Sequence, residues 1–143
     1  MSRFLIILTV LILATGIFHA CQPDDEDEKI EARKNILGTW ICSESSQVYK
    51  SLSATYEVGI SEDASSTNGV LISNFYQLGN SIQIKATIDE YLLDIAQQTL
   101  PGGFIVKKGS GIIADNYSEI TMTYEVDDGS GQVDPVKATY VRK

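Results

Sequence analysis

The chain has 143 residues, enough for one domain with an ordinary hydrophobic core. Its 19 acidic residues outnumber 11 basic ones, which gives a net charge of −8. This balance argues against nucleic acid as a partner and against electrostatic docking on anionic lipid, because both need clustered Lys and Arg. The only histidine is His19, so the rest of the sequence lacks the residue that most often serves as general base or zinc ligand.

The chain opens with an apolar leader. Residues 4–20 contain no Asp, Glu, Lys or Arg, Arg3 precedes them, and Cys21 follows. A charged start, an apolar run and a small residue before a break are typical of a secretory signal. The alternative is an uncleaved membrane-spanning helix, for which this apolar run is short. Phe18–Cys21 resembles the lipobox of bacterial lipoproteins, which implies that residues 1–20 are removed and that Cys21 becomes the lipidated N-terminus.

An acidic segment, residues 21–28, comes next. Like charges at this density repel one another and resist burial, so the segment is expected to be a solvated tether. A cysteine followed closely by several acidic residues resembles the surface-export signal of Bacteroidetes-type lipoproteins. That resemblance implies a lipid anchor in the outer membrane and a domain exposed at the cell surface. Cys42 then has no cysteine to pair with, and its spacing from Trp40 on a strand predicts a buried thiol.

The remainder, residues 29–143, is predicted to be one β-rich domain. Residues 29–37 have helical character, with cations late in the segment, and Gly38 ends the helix. Beyond it, apolar and polar residues alternate with a period of two, which indicates strands. The predicted strands are 39–44, 54–60, 69–76, 81–88, 91–96, 103–107, 111–114, 119–126 and 136–142. Short turns between them indicate an all-β fold, a barrel or a sandwich, and favour an antiparallel up-and-down barrel of about eight strands behind a short helix.

Two sets of residues carry a resemblance to known families. Gly38 and Trp40 form a Gly-x-Trp at the start of the first strand, and Arg142 lies on the last; this resembles the calycin, or lipocalin, superfamily, in which such an arginine covers the tryptophan ring. Longer segments resemble a lipocalin-like domain of Bacteroidetes-type surface lipoproteins, a family without a defined activity. Those segments are Tyr56–Val58, Asn74–Gly79, Gly109–Gly111, Ile120–Gly129 and Ala138–Tyr140.

Several carboxylates are candidates for a calcium site or for a glycosidase acid pair, although their positions in the sequence do not favour either. Asp127, Asp128 and Asp134 bracket a glycine-rich loop whose oxygens would suit Ca²⁺, but the spacing differs from an EF-hand and favours a hydrophilic hairpin. Glu57 and Glu125 are candidates for a glycosidase acid pair. Because both alternate with core positions, we expect them to point into solvent.

Asn74, Phe75, Tyr76 and Gln77 are the best candidates for a binding feature. Two aromatic side chains flanked by amides can stack on a sugar or line the mouth of a pocket. The alternative is a strand end with both aromatics in the core.

Gly109–Gly111 has no helix behind it that would make a phosphate site, and it is expected to be a turn.

These observations predict a non-enzymatic surface lipoprotein without a cofactor or metal, held to the membrane by acyl chains at Cys21. It would bind a small apolar or glycan ligand; alternatively, it is a structural or accessory subunit that contacts another protein. An eight-stranded barrel can be filled or can hold one small ligand. A deep apolar cavity would favour the ligand, whereas a filled interior with an exposed apolar patch would favour the protein partner.

Overall fold

The computed structural model describes residues 25–48 and 53–143. The predictions for the leader and for Cys21 lie outside these residues. One helix, α1, spans Asp25–Ile36. In the described part of the chain, no helix combines the length and the apolar character needed to cross a bilayer. The strands are β1 (Gly38–Ser46), β2 (Ser53–Glu62), β3 (Gly69–Ser73), β4 (Gln83–Asp89), β5 (Leu92–Ile95), β6 (Gln98–Thr99), β7 (Ile105–Ile113), β8 (Glu119–Asp127) and β9 (Val133–Arg142).

The strands form one closed antiparallel barrel. Each strand from β1 to β5 pairs with its neighbour in sequence, as do those from β7 to β9. β5 pairs with β7, and β9 pairs with β1, so the sheet returns to its starting strand. β5 and the short β6 both pair with the same side of β7, over different residues. Together they take one position in the barrel, so the nine strands form an eight-stranded barrel. The prediction of a closed, all-β, up-and-down barrel is therefore confirmed.

Inward-facing side chains fill the barrel. Along β1 the buried positions alternate, as the period of two predicts, and include Trp40, Cys42 and Glu44. Trp40, Phe75 and Tyr140 are among the largest side chains that are fully buried. Among the described residues, 24 buried hydrophobic side chains form one cluster, but the barrel also encloses polar groups, and these define the candidate site described below.

α1 lies across the barrel end where β1 begins, called here the helix end. Its Ile36 is fully buried, and the Ile36 carbonyl accepts a 2.9 Å hydrogen bond from the Trp40 indole nitrogen. The Arg142 guanidinium lies 4.5 Å from the centroid of the Trp40 ring, the contact that the Gly-x-Trp pattern predicts. Arg142 also donates to the carbonyl of Leu37, and Gly38 adopts a φ of 126° beside it. The first strand, the last strand and the helix are thus joined at one point.

Several boundaries differ from the sequence prediction. α1 begins at Asp25, so it includes residues 25–28 that the sequence assigned to the tether; acidic residues at a helix N-terminus are stabilised by the helix dipole. β9 begins at Val133, three residues before the predicted start at residue 136. The predicted strand 69–76 ends at Ser73, and a 3-10 turn follows.

The prediction of a turn at Gly109–Gly111 is wrong, because these residues continue β7 as one strand. Both glycines occupy buried, inward-facing positions. A Cβ atom on Gly109 would lie 2.9 Å from Cβ of Tyr124, and one on Gly111 would lie 3.1 Å from Cγ of Met122. The glycines therefore provide space for the larger residues opposite them on β8.

Candidate functional site

The predicted binding residues lie in the turn between β3 and β4, at the barrel end opposite α1. Phe75 is fully buried and its ring lies 4.4 Å from that of Tyr124, whereas Gln77 is exposed. The Asn74 amide donates to the Glu57 carbonyl at 2.7 Å, which ties the turn to β2. Asn74, Tyr76 and Gln77 all have positive φ values. Phe75 thus packs into this end of the barrel, and Tyr76 is partly buried against the core beside it.

Tyr76 closes this end through a hydrogen bond to a buried carboxylate. Its hydroxyl donates to Oδ2 of Asp134 at 2.8 Å. Oδ1 of the same Asp134 accepts hydrogen bonds from Oγ of Ser46 at 2.9 Å and from the backbone nitrogen of Val48 at 3.1 Å. Asp134 therefore links the ends of β1 and β9 to the turn that covers them.

A second carboxylate, Glu44, is buried inside the barrel with 6% of its surface exposed. The hydroxyls of Tyr56 and Tyr124 both donate to its Oε2 atom. Burial raises the pKa of Glu44 above its ordinary value, and the two tyrosine hydrogen bonds oppose that rise. The environment therefore favours the protonated carboxyl group more than water does.

Two further polar groups border this cluster. The Tyr140 hydroxyl is buried and has no hydrogen-bond partner among the described residues. Cys42 is a free, buried thiol, and burial raises its pKa to about 12. At that pKa the sulfur stays protonated at neutral pH, so it is a poor nucleophile.

The sequence interpretation did not identify Glu44 as a buried group. The signal was present, because the alternation that places Trp40 and Cys42 inward reaches Glu44 two residues later. A carboxylate in the core is uncommon, and the partners that make it tolerable come from β2 and β8. Those strands are distant in sequence, so strand register is needed to find them.

The three aspartates of the candidate calcium loop do not meet. Oδ1 of Asp127 accepts hydrogen bonds from the backbone nitrogens of Gly129 and Gly131, at 2.9 and 3.0 Å. These bonds, together with Lys107, lower the pKa of Asp127. Asp134 is instead directed to Ser46 and Tyr76. Across residues 25–48 and 53–143, no three His, Cys, Asp or Glu side chains gather in a set that could hold a metal ion.

The candidate glycosidase pair also lies apart. Glu57 forms an ion pair with Lys143. Glu125 forms one with Lys108, at 3.1 Å between Oε1 and Nζ. Each carboxylate is on the outer wall of the barrel with its own lysine, as the alternation predicts.

The outer wall carries a groove of about 740 Å³ across β4, β5, β7, β8 and β9. Leu92 and Ile112 lie directly opposite each other on β5 and β7, with 59% and 62% of their surfaces exposed. Asp94 and Lys137 also line the groove. The groove adjoins a smaller cleft of about 320 Å³ that shares both charged residues. The name outer groove is used below for the larger of the two.

The sequence interpretation did not single out the outer groove. Its signal is a break in alternation: Leu92 precedes the buried Leu93, and Ile112 precedes the buried Ile113, so each strand has an apolar residue on the solvent side. Two such breaks form a patch only because β5 and β7 are neighbours. β5 and β7 pair when the barrel closes, and the apolar–polar pattern of each strand does not show which of their residues then lie opposite each other.

The comparisons with known proteins that give a match are those with solved structures. No protein-family model and no curated protein matches the chain. Among solved structures it is similar to a "putative outer membrane protein" from Bacteroides fragilis NCTC 9343, with a TM-score of 0.45 and 17% sequence identity. The likeness covers 80% of this chain, and the chain spans about half of that protein, 53%. The assignment of a lipocalin-like barrel rests on the strand order and the Trp40–Arg142 contact of this chain.

Proposed function

We propose that this protein is a lipid-anchored, non-catalytic module of the outer membrane surface that binds a partner protein through the outer groove. The observation that carries the proposal is the contrast between a filled interior and an exposed apolar pair on the outer wall. Of the two functions that the sequence left open, this is the accessory, protein-binding one.

The filled interior disfavours a bulky apolar or glycan ligand inside the barrel. Trp40 and α1 occupy one end, and the turn containing Phe75 and Tyr76 occupies the other. A ligand of that kind would have to displace side chains that are fully buried, and each such displacement costs several kcal/mol. Binding on the outside requires no such rearrangement.

The outer wall supports protein binding by side-chain contact. Exposed apolar patches on soluble domains commonly mark interaction surfaces. Each of the eight barrel strands has a paired neighbour on both sides over at least part of its length, so a partner gains more by binding the surface presented by the side chains than by adding a strand. The groove containing Leu92 and Ile112 is such a surface.

The anchor and the absence of catalysis are supported by the sequence and by the state of the reactive groups. The run ending at Cys21 has the pattern of a lipoprotein leader. Cys42 is buried with a raised pKa, and Glu57 and Glu125 are each paired with a lysine on the outer wall. These groups are poorly arranged for nucleophilic or acid–base chemistry.

Photo-crosslinking in cells tests the protein-binding function. A photoreactive phenylalanine analogue replaces Ile112, and the matched control carries it at Val133, another exposed apolar residue on β9. We expect a discrete crosslinked adduct from position 112 and none from position 133. The same pattern of adducts from both positions, or none from either, would contradict the proposal.

A second candidate, a small polar ligand inside the barrel, is favoured by one observation. The Tyr140 hydroxyl is buried without a partner among the described residues, in the same interior as Glu44. A small hydrogen-bonding molecule there would satisfy it. Native mass spectrometry of protein extracted from cells would detect an added mass that Tyr140→Phe removes; an unliganded mass would rule this candidate out.

A further inference from the structure

We propose that the outer groove binds a protein segment that carries an aliphatic side chain flanked by Lys or Arg. This inference rests on the proposed function and specifies the chemistry of the partner. In the bound state, the aliphatic side chain packs on Leu92 and Ile112, and the basic residues face Asp89 and Asp94.

The apolar centre of the site is continuous over two strands and the adjoining rim. Leu92 and Ile112 are cross-strand partners, so their side chains lie side by side on the outer wall. At the rim next to them, the rings of Tyr91 and Tyr117 stack with centroids 5.8 Å apart. The backbone nitrogen of Ile113 donates to the Tyr91 carbonyl at 2.8 Å, which joins the rim to the wall. A partner therefore meets an aliphatic patch bordered by two tyrosines.

Acidic side chains border this patch on β4 and β5, and Lys137 lines the opposite side of the groove on β9. Asp89 lies directly opposite Leu92 on β4, and Asp94 follows two residues along the same outward face of β5. Around the tyrosine pair, Glu31 and Glu90 line a neighbouring cleft. Within the described residues, Asp94, Glu31 and Glu90 form no ion pair with a lysine or arginine. Their negative potential is therefore available to a basic partner.

The same charges disfavour the other occupants of the groove. A second copy of this chain would bring the acidic border against itself, and a concave groove does not fill another concave groove. An anionic bilayer would be repelled, and a neutral one would have to desolvate Asp89 and Asp94. The acidic segment at residues 21–28 of this chain carries the same sign. A basic, apolar segment of another protein satisfies both the patch and its border.

Fluorescence anisotropy with three labelled peptides tests this inference on full-length protein held in phosphatidylcholine nanodiscs. The first peptide alternates lysine with leucine, the second alternates glutamate with leucine, and the third alternates lysine with serine. We expect the lysine–leucine peptide to bind about tenfold or more tightly than either of the others. Empty nanodiscs give the background for peptide bound to lipid alone.

Variants separate the apolar and the charged contributions. Leu92→Ser combined with Ile112→Ser should weaken binding of the lysine–leucine peptide about tenfold, whereas Val133→Ser should leave it unchanged. Asp94→Lys should shift the preference toward the glutamate–leucine peptide. Equal binding of the three peptides, or no effect of Asp94→Lys, would overturn the inference. So would failure of every peptide to bind, the result expected if the groove faces the membrane.

The outcome is separable from that of the proposed function. A crosslinked adduct at position 112 together with no preference among the peptides would support the protein-binding function and contradict the inference that the partner is basic. If there is neither an adduct at position 112 nor a preference for the lysine–leucine peptide, the protein-binding function is contradicted as well.

Discussion

Glu44 is a buried carboxyl group through which the stability of the barrel depends on pH. It lies between Tyr56 and Tyr124 in an interior that otherwise excludes water, and its pKa is raised chiefly by burial. A raised folded-state pKa means that the native protein binds more protons than the unfolded chain above the ordinary pKa of glutamate. The stability contributed by protonated Glu44 is full below that ordinary pKa and is lost as pH rises through the folded-state value.

Glu44→Gln should therefore change how stability depends on pH. The amide keeps the volume and an oxygen that can accept the tyrosine hydrogen bonds, but it does not ionise. We expect the free energy of unfolding of the variant to rise relative to the wild type as pH increases from acid to neutral. Urea denaturation across this range measures the difference, with the exposed Glu57→Gln as control. A pH-independent difference would show that Glu44 titrates normally.

At the level of the elements, the seam between β4 and β6 depends on a side chain. β5 ends at Ile95, and the short β6 does not pair with β4. The Gln98 amide spans the gap: its Oε1 accepts from the Lys85 nitrogen and its Nε2 donates to the Lys85 carbonyl, both at 2.8 Å. One glutamine side chain thus makes the two hydrogen bonds that a paired strand residue would make.

Gln98→Ala should open this seam locally. Two exposed hydrogen bonds would be lost, and water would replace them in part, so we expect a loss of about 1–2 kcal/mol in the free energy of unfolding. The Lys85 amide should exchange its hydrogen faster, as measured by NMR. Gln97→Ala, at the exposed neighbouring residue, serves as control. An unchanged exchange rate at Lys85 would mean that the amide is protected in another way.

The sequence predicted those elements whose pattern is local. Residues 119–126 alternate without exception, and β8 follows that range closely. The prediction of a turn at Gly109–Gly111 was wrong because glycine was interpreted by its usual role in turns. Here the two glycines provide space for Tyr124 and Met122 on another strand. The buried Glu44 and the outer groove likewise depend on which strands become neighbours. Contacts between distant strands are not encoded by any short stretch of sequence.

At the level of the whole molecule, the start of α1 limits how far a lipid on Cys21 could lie from the barrel. The helix begins at Asp25, four positions after Cys21 in the sequence, and its Ile36 is buried in the core. Four residues span at most about 14 Å. If Cys21 is acylated, the start of α1 lies near the bilayer, while the long wall of the barrel is accessible to partners.

Cys21→Ser should release the protein from the membrane. Acylation is the expected attachment, and each buried methylene of an acyl chain contributes about 0.8 kcal/mol to anchoring. We expect the variant to move from the detergent phase to the aqueous phase in a phase-partitioning experiment, while Cys42→Ala stays in the detergent phase. Continued partitioning of Cys21→Ser into detergent would indicate that residues 4–20 remain attached as a membrane-spanning helix.

The junction of β1 with β9 has a consequence for folding kinetics. Arg142 reaches the Leu37 carbonyl across 105 residues of sequence, and the barrel is incomplete until these strands meet. Closing so long a loop costs conformational entropy before the contacts compensate for it. We expect refolding in milliseconds to seconds, the range of β-proteins dominated by non-local pairings. Until closure, β1 and β9 present unpaired edges, so the chain is most prone to aggregation just before its last strand docks.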